Sequence, residues 1–168
     1  MRKIPLTQNQ FALVDDADFD WLSKYKWYAR WAECTKSFYA VRNGKRTENK
    51  RQFIYMAREI LGLKFGDKRQ ADHKNHDTLD NRRSNLRVCS KAENLKNQGK
   101  RKDNSSGFRG VHWHKRDRKW QTQIRCNGRK IYLGNFTSLI EAAKCYDKAA
   151  KLHHGEFAVL NFPKNCNN

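Results

Sequence analysis

Apolar and aromatic residues in the first sixty positions come in short runs broken by polar ones: IPL, FALVDD, KWYARW, SFYAVRN and QFIYMAREIL. Runs this short, rich in β-branched and aromatic residues, predict strands. Asn43-Gly44 predicts a tight turn between two of them. Asp16 to Tyr25 breaks the pattern and predicts a short helix with Phe19 and Leu22 on one side. Met56 to Leu63 predicts another, ending at Gly62 or Gly66, and Trp21, Trp27 and Trp31 read as core. From 66 to 98 alternation fades, and the stretch ADHKNHDTLDNRRSNLRVCSKAENLKN predicts mostly loop. Ser90 and Glu93 then have capping-box spacing, so a helix starts at Lys91. GKRKDNSSG, residues 99–107, contains no apolar residue and predicts a linker. Strands return in FRGVHWHK, KWQTQIRC and KIYLGNF, separated by Arg116-Asp117-Arg118 and by the hairpin signal Asn127-Gly128. A second capping box, Ser138 to Glu141, opens a helix that runs to His154 and stops at Gly155. Leu139, Ala142, Ala143, Tyr146 and Ala150 share one face of it, and the alanines allow close packing on a sheet.

The pattern is that of an α+β chain in two parts. Residues 1–98 form a β-rich segment followed by a polar motif at 66–98. Residues 99–106 are a basic linker. Residues 107–163 form a small three-stranded antiparallel sheet packed on one helix.

Charge changes the picture. The 168 residues carry 36 Lys plus Arg against 17 Asp plus Glu, a net charge of +19. The excess is spread through the chain, at +5 for residues 1–60, +6 for 61–105 and +8 for 106–168. Such a body resists compaction unless a polyanion neutralises it, which argues against an ordinary small-molecule enzyme and for phosphate-backbone contact. The five cysteines, Cys34, Cys89, Cys126, Cys145 and Cys166, are scattered and form no C-x-x-C pair, so neither a disulfide framework nor a four-cysteine zinc site is expected. No apolar run approaches the ~18 residues of a membrane helix, and the N-terminus lacks the apolar core of a secretory signal. A cytoplasmic location is expected.

Asp72-His73, then L-D-N-R-R-S-N-L-R at 79–87, then E-N-L-K-N at 93–97 resemble the HNH (ββα-metal) nuclease motif. The residue types suit phosphodiester hydrolysis. A histidine titrates near neutrality and serves as general base, and a carboxylate with an amide oxygen suits a hard divalent cation that keeps several waters. The resemblance implies that His73 activates water and that Asp72 and Asn94 hold Mg²⁺ or Mn²⁺. It also implies that Asn85 bonds the loop backbone and keeps His73 in place. His76 and Asn97 are rivals for the metal positions. Neighbours on a strand point to opposite faces, so Asp72 and His73 share a site only where the strand ends or bends.

F-R-G-V at 108–111, K-W at 119–120, I-R at 124–125, Y-L-G-N-F at 132–136, E-A-A at 141–143, Y-D-K-A-A at 146–150 and G-E-F-A-V-L-N-F at 155–162 resemble the plant Apetala-two/ethylene-response-factor (ERF-type) DNA-binding domain. That family places a three-stranded sheet in the major groove. Charge agrees independently: residues 106–136 carry +7 and residues 137–168 only +1, so the sheet faces the polyanion. Arg109, His112, His114, Lys119, Trp120, Arg125 and Lys130 are the expected contacts, with Trp113 and Trp120 equally able to pack. Arginines stand in the plant family at the places of His112 and His114, and a glutamate at that of Gln123, so the plant sequence preference does not transfer.

Together the two resemblances imply an HNH homing endonuclease, typical of mobile elements in phage, bacterial or organellar genomes. The expected reaction is metal-dependent cleavage of double-stranded DNA, leaving 5′-phosphate and 3′-hydroxyl ends, without a small-molecule cofactor or membrane partner. A monomeric nickase and a homodimer cutting both strands are both open. The competing readings are a non-catalytic DNA-binding regulator with a decayed finger, and an RNA-binding protein.

Overall fold

The computed structural model describes residues 1–47, 50–97 and 104–163. The chain divides into two compact units, Met1–Lys91 and Ala92–Asn168. It is α+β, with four small antiparallel sheets and four helices among the described residues.

In the first unit, β1 (Arg2–Pro5) and β2 (Phe11–Val14) form a hairpin that leads into α1 (Asp16–Leu22). A three-stranded sheet follows in the order β3 (Tyr28–Ala32), β4 (Ser37–Thr47), β5 (Lys50–Tyr55). The helix α2 (Met56–Ile60) precedes a second hairpin, β6 (Gln70–His73) with β7 (Leu86–Cys89). Ile4, Val14, Leu22, Trp27, Ala40, Met56, Ile60 and Leu86 bury into one core that draws on β1, β2, α1, β4, α2 and β7. The β-rich segment and the β6–β7 hairpin therefore fold as one body.

Several expectations need correction. Asn43-Gly44 is no turn: β4 runs through it, and the register with β5 shifts between Asn43 and Arg46. A bulge in a long strand uses the same permissive residues as a hairpin. Trp31 is 45% exposed, because it sits beyond the core at the outer end of β3, edge-on to Phe38. Trp27 is buried, with its indole N–H on the Leu22 carbonyl, and Trp21 packs against the same core. Part of the stretch expected as loop is strand, since β6 and β7 are only four residues each and too short to show alternation.

The second unit holds α3 (Lys91–Lys96 as a helix, its first residue at the boundary) and the sheet β8 (Val111–His114), β9 (Lys119–Cys126), β10 (Arg129–Phe136). The helix α4 (Leu139–His154) crosses one face of this sheet. Ser138 accepts the Glu141 N–H at its start, as the capping box predicts, and Gly155 ends it at φ 55°. Asn127 and Gly128 both have positive φ, the requirement of a two-residue hairpin turn. Val111 and Ile124 pack on Ala142, Ala143, Tyr146 and Ala150, so small residues bring the helix close to the sheet. Gly110 is indispensable here: a Cβ would lie 2.1 Å from the Tyr146 ring, and its φ is 74°. The end of the unit is tied back. Asp147 accepts the N–H groups of Asn161 and Phe162, each at 2.8 Å, and Asn161 brackets Arg109 through its N–H and carbonyl.

Residues 99–103 of the expected linker lie outside the described residues, as does Cys166. Asn104 and Ser106 bond the Phe108 and Val111 carbonyls and belong to the second unit's structure. Among the described residues, Cys34, Cys126 and Cys145 are free thiols, and Cys89 Sγ donates to the Gln70 carbonyl. No helix among the described residues is long and apolar enough to cross a membrane.

Candidate active site and nucleic-acid interface

Asp72 and His73 occupy the last two positions of β6, opposite Arg87 and Leu86. Both are buried, at 5% and 7% exposure. Their side chains take different partners, as adjacent strand positions require. Asp72 Oδ2 accepts from Arg87 Nε at 2.7 Å across the hairpin. His73 Nε2 lies 3.3 Å from Asn81 Oδ1, and the Tyr39 ring meets the imidazole edge-on with centroids 6.5 Å apart. Burial pushes the His73 pKa below its ordinary value, against the opposing bond to Asn81 and the pull of Asp72. The imidazole is therefore neutral at physiological pH, the state a general base needs.

The loop between the strands is fixed from inside. Asn85 accepts the Asn75 N–H at 3.1 Å and donates to the Asp80 carbonyl at 2.7 Å, so one amide staples both arms. Its own carbonyl takes the Lys74 N–H at 2.9 Å, directly after His73. Asp80, 2% exposed, accepts from Asn75 Nδ2 and from the Arg82 guanidinium, which holds its pKa low. The N-terminal hairpin braces the same loop: Leu13 N–H donates to the Leu79 carbonyl, and the Leu13 carbonyl accepts the Asn81 N–H. Arg83 adds an ion pair to Asp18 at 2.7 Å, which lowers the Asp18 pKa. The aim of His73 thus depends on residues as distant in sequence as Leu13 and Tyr39.

Asn94 lies one turn inside α3, within the second unit. Asn97 is buried just past that helix, while His76 is exposed at φ 65° in the loop. Among the described residues no three His, Cys, Asp or Glu side chains gather as a metal cage. The expected donors, one carboxylate and one amide oxygen, fit a different cation: one that keeps most of its water and takes substrate phosphate.

The sheet of the second unit has two unlike faces. Cross-strand pairing puts His112 beside Gln121, His114 beside Lys119, Gln123 beside Tyr132 and Arg125 beside Lys130. By alternation these residues point away from α4. His112 Nε2 meets Gln121 Oε1 at 2.9 Å, and Gln121 donates to Asn135, a polar row across all three strands. Of the expected contacts, His112, His114, Lys119, Arg125 and Lys130 share this outer face. Trp120 does not. It packs against Val111, Ala142 and Ala143, and its ring meets Trp113 edge-on at 4.9 Å. Arg109 is also turned inward: Nη2 donates to the Lys96 carbonyl at 2.8 Å, and Nη1 is buried. The strand period separates Trp120 from Lys119, but only the fold shows which parity faces the helix.

Several site residues escaped the sequence pattern. Asn81, Tyr39 and Arg87 touch Asp72 or His73; Asn81 and Arg87 lie inside the quoted run at 79–87 without an assigned role, and Tyr39 lies outside it. Gln121, Tyr132 and Asn135 complete the outer face, and alternation from Lys119 was the available signal.

Comparison with known proteins finds two kinds of relative. Residues 66–96 match the HNH endonuclease family. An HNH endonuclease of Acanthamoeba polyphaga mimivirus is 30% identical over 151 residues, 90% of this chain and 74% of its own length. Dehydration-responsive element-binding protein 2A of Arabidopsis thaliana is 40% identical over 76 residues, 42% of this chain and 22% of the plant protein. APETALA2-like protein 2 of Oryza sativa subsp. indica is 40% identical over 58 residues, 34% of this chain and 13% of its own. The chain thus spans less than a quarter of these plant relatives and about three quarters of the viral one. On the strength of the viral match and the motif at 66–96, this chain belongs to the HNH endonuclease family.

Proposed function

We propose that the chain is a metal-dependent homing-type endonuclease, targeted to duplex DNA by the outer face of its C-terminal sheet. One observation carries the reading: a buried, neutral histidine at the end of β6, oriented by Asn81 and adjacent to a carboxylate, inside the family's motif. Asn81 Nδ2 donates to the Leu79 carbonyl, so its Oδ1 is left to accept from His73 Nε2. His73 then takes the proton of the attacking water. Deprotonated water attacks the phosphorus, the bond to the 3′ oxygen breaks, and that oxygen takes a proton from solvent. The products are 5′-phosphate and 3′-hydroxyl ends. Asp72 and Asn94 would hold Mg²⁺ or Mn²⁺, and a bound divalent cation supplies Lewis acidity at the scissile phosphate. Asn85 acts on the loop, not on substrate. Arg125, Lys119 and Lys130 bind phosphate or guanine, and the His112–Gln121–Asn135 row reads base edges. Residues 1–60 form one body with the β6–β7 hairpin and add basic contacts.

A second reading has its own support. Arg87 already engages Asp72 at 2.7 Å, as it would in a finger that no longer binds metal. The chain would then be a DNA-binding regulator. Supercoiled plasmid and genomic DNA incubated with Mg²⁺ or EDTA separate the two. Nicks or breaks that need the metal and vanish in His73→Ala support the nuclease. Binding without cutting, equal in both proteins and indifferent to Mg²⁺, supports the regulator.

A further inference from the structure

Phe65 is the most exposed large apolar side chain among the described residues, at 87%. The segment that carries it is well tied. Asp67 N–H donates to the Lys64 carbonyl and closes a turn with Phe65 second and Gly66 third. Gly66 has φ 85°, the positive value that a type II turn demands at its third position. Arg58 on α2 binds the turn from beneath. Its Nη1 donates to the Arg69 carbonyl at 2.7 Å, and its Nη2 to the Lys64 and Asp67 carbonyls at 3.1 Å each. Arg69 grips the Asp67 carboxylate, whose pKa is held down to about 2. Leu63, buried, anchors the upstream end.

A rigid turn that holds a phenyl ring in water forgoes the hydrophobic gain of burying it. The ring needs a partner to recover that gain. An open groove beside it, lined by Phe53, Ile54, Tyr55 and Leu63, suits an apolar protein segment by shape alone. Charge favours another partner. Lys64, Lys68 and Arg69 are exposed in the turn, and the acids beside it, Asp67 and Glu59, are already paired with Arg69 and Arg42. An apolar side chain at the apex of a basic turn is the chemistry of a wedge between base pairs, flanked by phosphate contacts.

We infer that Phe65 is such a wedge: it enters duplex DNA near the scissile bond and unstacks one base step. This rests on the reading of the chain as a DNA-directed protein. Eight Cα-to-Cα steps separate Phe65 from His73, so their Cα atoms lie within roughly 28 Å of each other, or about eight base-pair steps along the duplex.

Relaxing a plasmid with a type I topoisomerase in EDTA tests the wedge without cutting and without a known target. The wild type shifts the topoisomer distribution. Phe65→Ala removes an exposed ring and no hydrogen bond, loses that shift, and binds duplex DNA roughly tenfold more weakly. Phe65→Leu, another wedge side chain, keeps part of the shift. Lys68→Ala keeps the shift and lowers the salt slope of binding by about one. A Phe65→Ala protein that matches the wild type in shift and affinity overturns the inference. So does a wild type that saturates the plasmid without any shift. A variant that leaves DNA behaviour intact but changes sedimentation makes the groove a protein-docking site and overturns the wedge too. Mg²⁺-dependent cutting by a wild type that shows no shift sinks the wedge alone. A shift from a protein that never cuts sinks the nuclease reading alone.

Discussion

Replacing Asn85 with alanine should separate positioning from chemistry. The side chain is 7% exposed and its amide serves both arms of the β6–β7 loop, toward Asn75 N–H and the Asp80 carbonyl. Two hydrogen bonds of about 1 kcal/mol each are lost, and the Asp80 carbonyl loses its partner where water reaches poorly, whereas exposed Asn75 turns its N–H to water. The expected cost is about 2–4 kcal/mol, a large part of the 5–15 kcal/mol typical of a domain. Urea titration of the full chain reads it directly. If that cost is drawn from the ordering of the loop alone, the population with His73 in place falls by up to roughly 30- to 1,000-fold, since about 1.4 kcal/mol is a factor of ten. Single-turnover cutting should fall within that range, while DNA affinity, which the proposal assigns to the outer face of the C-terminal sheet, should change less than about threefold. A variant with wild-type stability to within about 0.5 kcal/mol and wild-type cutting would refute the reasoning. The loop would then be held by Arg82, Arg83 and Leu13 without Asn85.

Three further expectations follow from the second unit. Gly110→Ala drives a Cβ into the Tyr146 ring at a φ of 74° and should cost about 3 kcal/mol or more, read as a lowered thermal midpoint. Arg125→Ala should lower the salt slope of DNA binding by about one with stability unchanged, whereas Trp120→Ala should lose about 3 kcal/mol of stability and leave the slope alone; the reverse pattern would exchange the two faces of the sheet. His154 is 6% exposed, its Nε2 donates to the Arg125 carbonyl, and burial holds its pKa below the ordinary 6.5. The unfolded chain binds the proton more readily, so stability is full above pH 6.5 and falls as the pH drops from there through the lower folded value. Denaturation at successive pH values should show that fall, and His154→Leu should flatten it.

The viral relative and the motif match give the segment 66–96 a family, but its internal wiring is not visible in them. The basic excess, the histidine–asparagine spacing and the aromatic strands point to phosphodiester chemistry on DNA. They do not show that Asp72 meets Arg87, which is the observation that keeps the regulator reading alive. Nor do they show that Arg109, a residue at a family contact position, gives one guanidinium nitrogen to the Lys96 carbonyl.

Local signals determined a good deal. The start of α3 at Lys91, the Ser138 cap, the Asn127-Gly128 hairpin, the strands of the second unit and the apolar stripe of α4 were all legible, because each depends on residues within a few positions of one another. Asn43-Gly44 shows the limit of such signals: the same dipeptide serves a turn or a bulge, and pairing with β5 decided between them. Long-range choices lay beyond the sequence. Which parity of β9 faces the helix is set by where α4 docks, so Trp120 went inward and Lys119 outward. Which asparagine holds His73 is set by β2, whose Leu13 bonds both sides of the Leu79–Asn81 segment and brings Asn81 to the imidazole. The sequence alone determined which chemical groups are present and the elements that carry them. Only the tertiary structure decided their partners, because a side chain's hydrogen bonds and burial depend on strands tens of residues away.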